Sequence, residues 1–178
     1  MKTLFTFLTL LVLGTSWAQI DQLDLKNALV IGQLDKPEDR FSIEVNVTEL
    51  FNSRGIKAYP ALNVLKIGSA PDLLSGDSVK TALAAKGIDT YVIVTVRGYD
   101  RNFKTSELKD DFQTAINAGS LFPIYREEVT SVSFEFLFFR NGKMVASDII
   151  KCSNVGSRDG VIKKLRKGVE KRLKKRWR

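Results

Sequence analysis

The stretch "DTYVIVTVRG", Asp89–Gly98, decides the fold. From Tyr91 to Val96 it is β-branched or apolar with no polar alternation, the composition of a strand covered on both faces. Strands of that kind sit inside α/β sheets, so helical segments are expected on either side of it in the chain.

Upstream, "NALVIGQL" (Asn27–Leu34) is a second short apolar run and reads as a buried strand. "DKPEDRFSIEVNVTELFNSRG" follows it and reads as a helix. Asp35 is the expected cap, with Glu38 at the capping-box position. Pro37 fits the first turn, where its missing N–H has no helical partner. Phe41, Ile43, Val45, Val47, Leu50 and Phe51 supply a wide apolar face. The β-branched residues leave a strand over Ser42–Thr48 as the alternative. Gly55 supplies a left-handed stop. "IKAYPAL" (Ile56–Leu62) is a strand whose Pro60 places it at an edge or bulge. A short helix from Asp77 as cap to Lys86 turns Val79, Ala82 and Leu83 inward and stops at Gly87.

Downstream, residues 99–128 form a long polar insertion with a candidate helix over Ser106–Asn117. "TSVSFEFLFFRNGKMVASDIIKC" then reads as a hairpin. Val132, Phe134, Phe136 and Phe138 share one face, Asn141-Gly142 makes the turn, and Leu137 and Phe139 call for partial cover on the second face. A helix over residues 157–178 closes the chain. The expected fold is α/β, a single domain over residues 19–178 in two or three layers. Its order is β-α-β-α-β, the insertion, then β-β-α, around a mixed five-stranded sheet. Right-handed crossovers make the first three strands parallel.

The chain opens "MKTLFTFLTLLVLGTSWAQ". Lys2, the apolar run Leu4–Leu13, and the small residues Ser16 and Ala18 have the order of a secretory signal over residues 1–18, with Gln19 starting the mature chain. The run is too short to span a bilayer core, which takes roughly 20 apolar residues. The leader resembles those of exported bacterial proteins. A periplasmic or envelope-associated location follows, and with it no nucleic-acid partner.

The net charge of +8 is unevenly spread. From Ser157 on there are eleven cations against Asp159 and Glu170, leaving residues 19–156 at −2. On a helical wheel Ile162, Leu165, Val169, Leu173 and Trp177 form an apolar stripe, extended by Val161. Lys163, Lys164, Lys167, Lys171, Lys174, Lys175 and Arg178 lie off it. Two readings stand: a packed helix with a solvated basic back, or a basic element for an anionic membrane surface or lipopolysaccharide. Arg172 and Arg176 border the stripe, so the last turns are expected to leave the core with Trp177 at a free tip.

The sequence contains no histidine and one cysteine, Cys152. Zinc sites built on His and Cys and imidazole-dependent nucleophilic catalysis therefore lack their parts. There is no phosphate-cradling glycine loop, and "GQLDKP" after the first strand puts an acid and a proline where a dinucleotide phosphate would approach. No cofactor or metal is expected. Cys152 is expected buried in a strand, with an intermolecular disulfide as the alternative. Asp110 with Asp111, and Glu127 with Glu128, are the acids left for a carboxylate-based hydrolase. Tyr99, Phe103, Phe122 and Tyr125 mark the insertion as a partner surface, or pack it onto the core.

Two stretches, "ALVIGQLDKPEDRFSIEVNVTELFNSRGIKAYPAL" and "FEFLFFRNGKMVASDIIKCSN" with its terminal helix, resemble small exported envelope proteins and lipoproteins of unknown function. The fold of that group resembles the amino-terminal domain of the periplasmic protein TolB. Arg40 and Glu44 match the group's Arg and Glu, one helical turn apart. The resemblance implies an envelope role with an unknown protein partner and carries no activity. A non-enzymatic interaction or assembly domain is the expectation.

Overall fold

The computed structural model describes residues 22–65, 71–100, 102–103, 111–117 and 122–178. A mixed sheet runs β2-β1-β3-β5-β6. Its strands are β1 (Asn27–Gln33), β2 (Lys57–Pro60), β3 (Thr90–Tyr99), β5 (Ser131–Arg140) and β6 (Lys143–Ser153), with the two-residue β4 (Asn102–Phe103) hooked onto the end of β3. β1 is parallel to β2 and β3, and β3 is antiparallel to β5. The architecture has three layers. Helices α1 (Pro37–Asn52) and α4 (Arg158–Arg172) cover one face. Helices α2 (Asp77–Ala85) and α3 (Phe112–Asn117) and short 3₁₀ turns cover the other.

Each face is assigned by strand period. Val92, Val94 and Val96 of β3 join Phe134, Phe136 and Phe138 of β5 in the α1–α4 core. Ile93, Leu137 and Phe139 point the opposite way, among Leu74, Leu83, Phe112 and Ile116. The β5–β6 turn has Asn141 at φ +51° and Gly142 at φ +76°, the doubly left-handed geometry an Asn-Gly pair favours. Pro60 lies on the edge strand β2.

The helical reading of Ser42–Thr48 prevails over the strand. Ile43, Val47, Leu50 and Phe51 face the core, but Phe41 is 59% exposed and Val45 lies out with it, so the apolar face is narrower than the wheel implied. The cap of α1 is Lys36, with no side-chain bond, and not Asp35; Pro37 starts the helix. Asp77 is likewise the first residue of α2 after the cap Gly76, and Ala82 is exposed.

Helix α4 continues into a π turn, Leu173–Trp177. Trp177 is fully buried, contrary to the free tip expected from Arg172 and Arg176. Its ring meets Phe136 at 4.9 Å, Phe138 at 5.1 Å and Phe51 at 6.1 Å. The wheel shows angular position alone; it does not reveal that Asp148 waits beneath Arg172, 2.7 Å away.

At each margin of the sheet one residue has both of its outward backbone groups bound by side chains. On β2, Asn52 accepts from the Ala58 N–H at 2.9 Å and donates to the Ala58 carbonyl at 3.2 Å. On β6, Asp148 accepts from the Ile149 N–H at 2.8 Å, and Arg172 donates to the Ile149 carbonyl at 3.1 Å.

Candidate functional site

In an open α/β sheet, ligands favour the crevice beyond the carboxyl ends of parallel strands where the chain departs to opposite faces. Here that point is the end of β1, between β2 and β3. The chain fills it with its own residues. Gln33 donates through Nε2 to the carbonyls of Ala115 and Ile116 at 3.2 and 2.8 Å. The Ile124 N–H donates to Asp39 Oδ2 at 3.1 Å, and Arg158 Nε meets Asp39 Oδ1 at 2.7 Å. A depression of about 310 Å³ remains beside this plug, lined by Lys36, Glu38, Asp39, Tyr125 and Arg158.

The aromatics singled out in the insertion largely hold that plug in place. Tyr99, Phe122 and Tyr125 are half-buried and pack against the α1–α4 core. The Tyr99 hydroxyl donates to the Pro123 carbonyl, and Tyr125 donates to the Gly156 carbonyl at 3.1 Å. The exposed Arg126 guanidinium lies 4.8 Å above the Tyr99 ring and 5.6 Å from that of Phe122. Burial raises the Tyr99 pKa, with Arg126 opposing the shift. The Phe103 side chain and most of the helix expected over Ser106–Asn117 lie outside the described residues; α3 is its last part.

Arg40 and Glu44 pair at 2.9 Å within α1. Glu44 is fully buried and also accepts from the N–H groups of Gly32 at 3.0 Å and Leu62 at 2.8 Å. It thereby fastens α1 to β1 and to the turn after β2. Burial raises its pKa, and the bonds from Gly32, Arg40 and Leu62 oppose the shift. A Cβ on Gly32 would lie 3.2 Å from the Arg40 carbonyl oxygen, so glycine is what lets α1 approach this closely. Arg40 Nη2 is buried without a partner among the described residues.

The remaining acids are separated. The Asp111 backbone forms a β-bridge with Lys143 at the turn end of the β5–β6 hairpin, while Glu127 and Glu128 precede β5 at the other. Ten residues of strand, roughly 30 Å, lie between. Asp111 accepts from Thr114 N and Oγ1 at 2.8 and 2.6 Å, and the Thr114 hydroxyl holds its pKa down. Asp110 lies outside the described residues. Among the described residues no cluster of His, Cys, Asp and Glu could hold a metal ion. Cys152 is buried in β6, and burial pushes its thiol up to about 12.

Helix α4 separates its cations by role. Arg158, Arg166 and Arg172 pair with Asp39, Glu49 and Asp148 on other elements, each at 2.7 Å. Lys163, Lys164, Lys167, Lys171, Lys174, Lys175 and Arg178 are all exposed, and none has an ion-pair partner among the described residues. Sequence pattern found these seven from the wheel. It could not find the pairing of the other three, whose partners lie on other elements.

No family model matches the chain, and no curated protein matches it. Among solved structures it is similar to the PelC dodecamer from Paraburkholderia phytofirmans, at 13% identity and TM-score 0.45, covering 84% of this chain and 86% of that one. A leucine-to-methionine variant of the same dodecamer gives 16% identity and TM-score 0.46, with the same coverage. Lipoprotein GNA1162 from Neisseria meningitidis gives 14% and 0.41, covering 84% and 96%.

Proposed function

We propose that this protein is exported and acts in the cell envelope as a non-enzymatic interaction domain, of the kind whose fold resembles the TolB amino-terminal domain. The observation that carries the reading is the division of cations on α4. Three arginines pair with acids of other elements, while seven cations stand in water with no ion-pair partner among the described residues. A helix that needed only solubility would be served by mixed charge. A face of one sign suits an anionic partner: an acidic envelope protein, or a membrane or lipopolysaccharide surface. The self-filled crevice at the end of β1 points the same way, away from a small-molecule site.

The leader supports export, so the test begins there. The mature chain is expected in the periplasmic or envelope fraction with Gln19 as its first residue. Full-length chain with the leader intact in the cytoplasm would overturn the proposal.

A further inference from the structure

The fold gathers a second set of cations that the sequence scatters. Helices α1, α2 and α4 all end where β1, β2 and β3 begin. Arg178 Nη2 lies 3.9 Å from where a Gly55 Cβ would be, beside Arg54. Lys57 Nζ donates to the Lys86 carbonyl at 2.6 Å, and the Lys57 N–H donates to the Lys26 carbonyl at 3.0 Å. Lys26, Arg54, Lys57, Lys86, Lys174 and Arg178 thus surround one end of the molecule, drawn from four separate parts of the chain. All but the half-buried Arg54 are exposed. The acids there are Asp24, paired to Lys26 at 3.0 Å, Asp89, bonded to Thr90, and Asp111, whose backbone bridges to Lys143 at the hairpin turn beside Arg140. The opposite end, where α1 and α4 start, holds Asp35, Glu38, Asp39, Asp100, Glu127, Glu128 and Asp159 against Lys36, Arg126 and Arg158, and is acidic on balance. The domain with its closing helix is therefore basic at one end of its strands and acidic on balance at the other.

We propose that this basic pole docks end-on against an anionic lipid surface. The proposal rests on the envelope reading above and specifies its partner and orientation. A charge dipole aligns in a surface field, with the acidic end held away. Helix carboxyl ends also favour cations nearby, which anchors the set without neutralising it. The chain path argues for lipid over other polyanions. Residues 22–26 emerge at this pole, with Leu23 and Leu25 bonded to the carbonyls of Arg176 and Trp177 at 2.8 Å. Eight residues separate Gln22 from the end of the apolar leader at Leu13. A chain that long spans at most about 29 Å. While the leader is attached, the pole is the end nearest the membrane.

The test is co-sedimentation of the mature protein with phosphatidylglycerol–phosphatidylcholine vesicles and with pure phosphatidylcholine vesicles. Two triple variants are compared, their folding checked by circular dichroism. One reverses the pole off the tail (Arg54→Glu, Lys57→Glu, Lys86→Glu), the other the flank of α4 (Lys163→Glu, Lys164→Glu, Lys167→Glu). A neutral pair, Lys57→Gln with Lys86→Gln, serves if the first misfolds. Salt-sensitive binding to anionic vesicles, weakened about 100-fold or more by the pole variant and less than tenfold by the flank variant, is the expected result. Loss with the flank variant and not with the pole variant overturns end-on docking but keeps the basic-helix reading. Binding to heparin without binding to vesicles overturns the lipid partner. No binding to either by the wild type removes both.

Discussion

Trp177 donates its indole N–H to Asp148 Oδ2 at 3.1 Å, and Arg172 Nε lies 2.7 Å from that same oxygen. The second contact has ion-pair distance but not hydrogen-bond alignment. One carboxylate on an edge strand thus holds both the penultimate residue and an arginine of the last regular turn.

Because Trp177 sits among Phe51, Phe136 and Phe138, replacing it with alanine opens a large void. Trp177→Ala is expected to cost about 3–5 kcal/mol. Trp177→Phe should cost less, losing mainly the bond to Asp148. Urea denaturation followed by circular dichroism measures both. Deleting Lys171–Arg178 therefore cannot serve as a clean test of tail charge, since it removes core.

Gly168 lies in α4 against β6, where an added Cβ would come 2.4 Å from Ile150 Cγ2. At a solvent-facing helix position Gly→Ala gains about 1 kcal/mol. Here the sign reverses, and Gly168→Ala should lower the melting temperature. Adding Ile150→Ala should cost less in the Gly168→Ala background than in wild type. Equal costs would show that the two sites do not touch.

Glu44 binds its proton more tightly folded than unfolded, because burial outweighs the bonds it accepts. Its contribution is fully present below the unfolded value near 4.5 and is lost as pH rises through the higher folded value. Stability of wild type relative to Glu44→Gln should therefore fall as pH rises through that window. A difference that stays flat or rises would show the folded value is not raised. Glu44→Ala, which strands Arg40, should cost about 3–5 kcal/mol at neutral pH.

Cys152 should resist a thiol reagent at pH 8 in native protein and react completely in denaturant, since its thiol is buried and raised to about 12. Rapid native labelling would contradict this, as would a disulfide-linked dimer.

The layered sheet was legible because its strands signal by composition alone. Tyr91–Val96 and the alternating Phe134, Phe136 and Phe138 report burial without reference to partners. The caps at Asp35 and Asp77 were misplaced by one residue or so, because Lys36 and Gly76 cap with backbone conformation only. Phe41 and Trp177 were misjudged in opposite directions. A wheel ranks angle, and what covers each angle is decided by distant residues such as Asp148. The basic tail was visible as a run. The basic pole was not, since Lys26, Arg54, Lys57 and Lys86 meet only through β1–β2 pairing and the return of α1 and α2.

The side chains bound at the two sheet margins bear on life at high concentration. A free strand edge invites any extended chain to add itself, and the next copy to add to that. At Ala58 and at Ile149 both backbone groups are already bound, by Asn52 on one side and by Asp148 with Arg172 on the other. Those two positions therefore offer no backbone partner to an added strand, and any pairing along either edge is interrupted there.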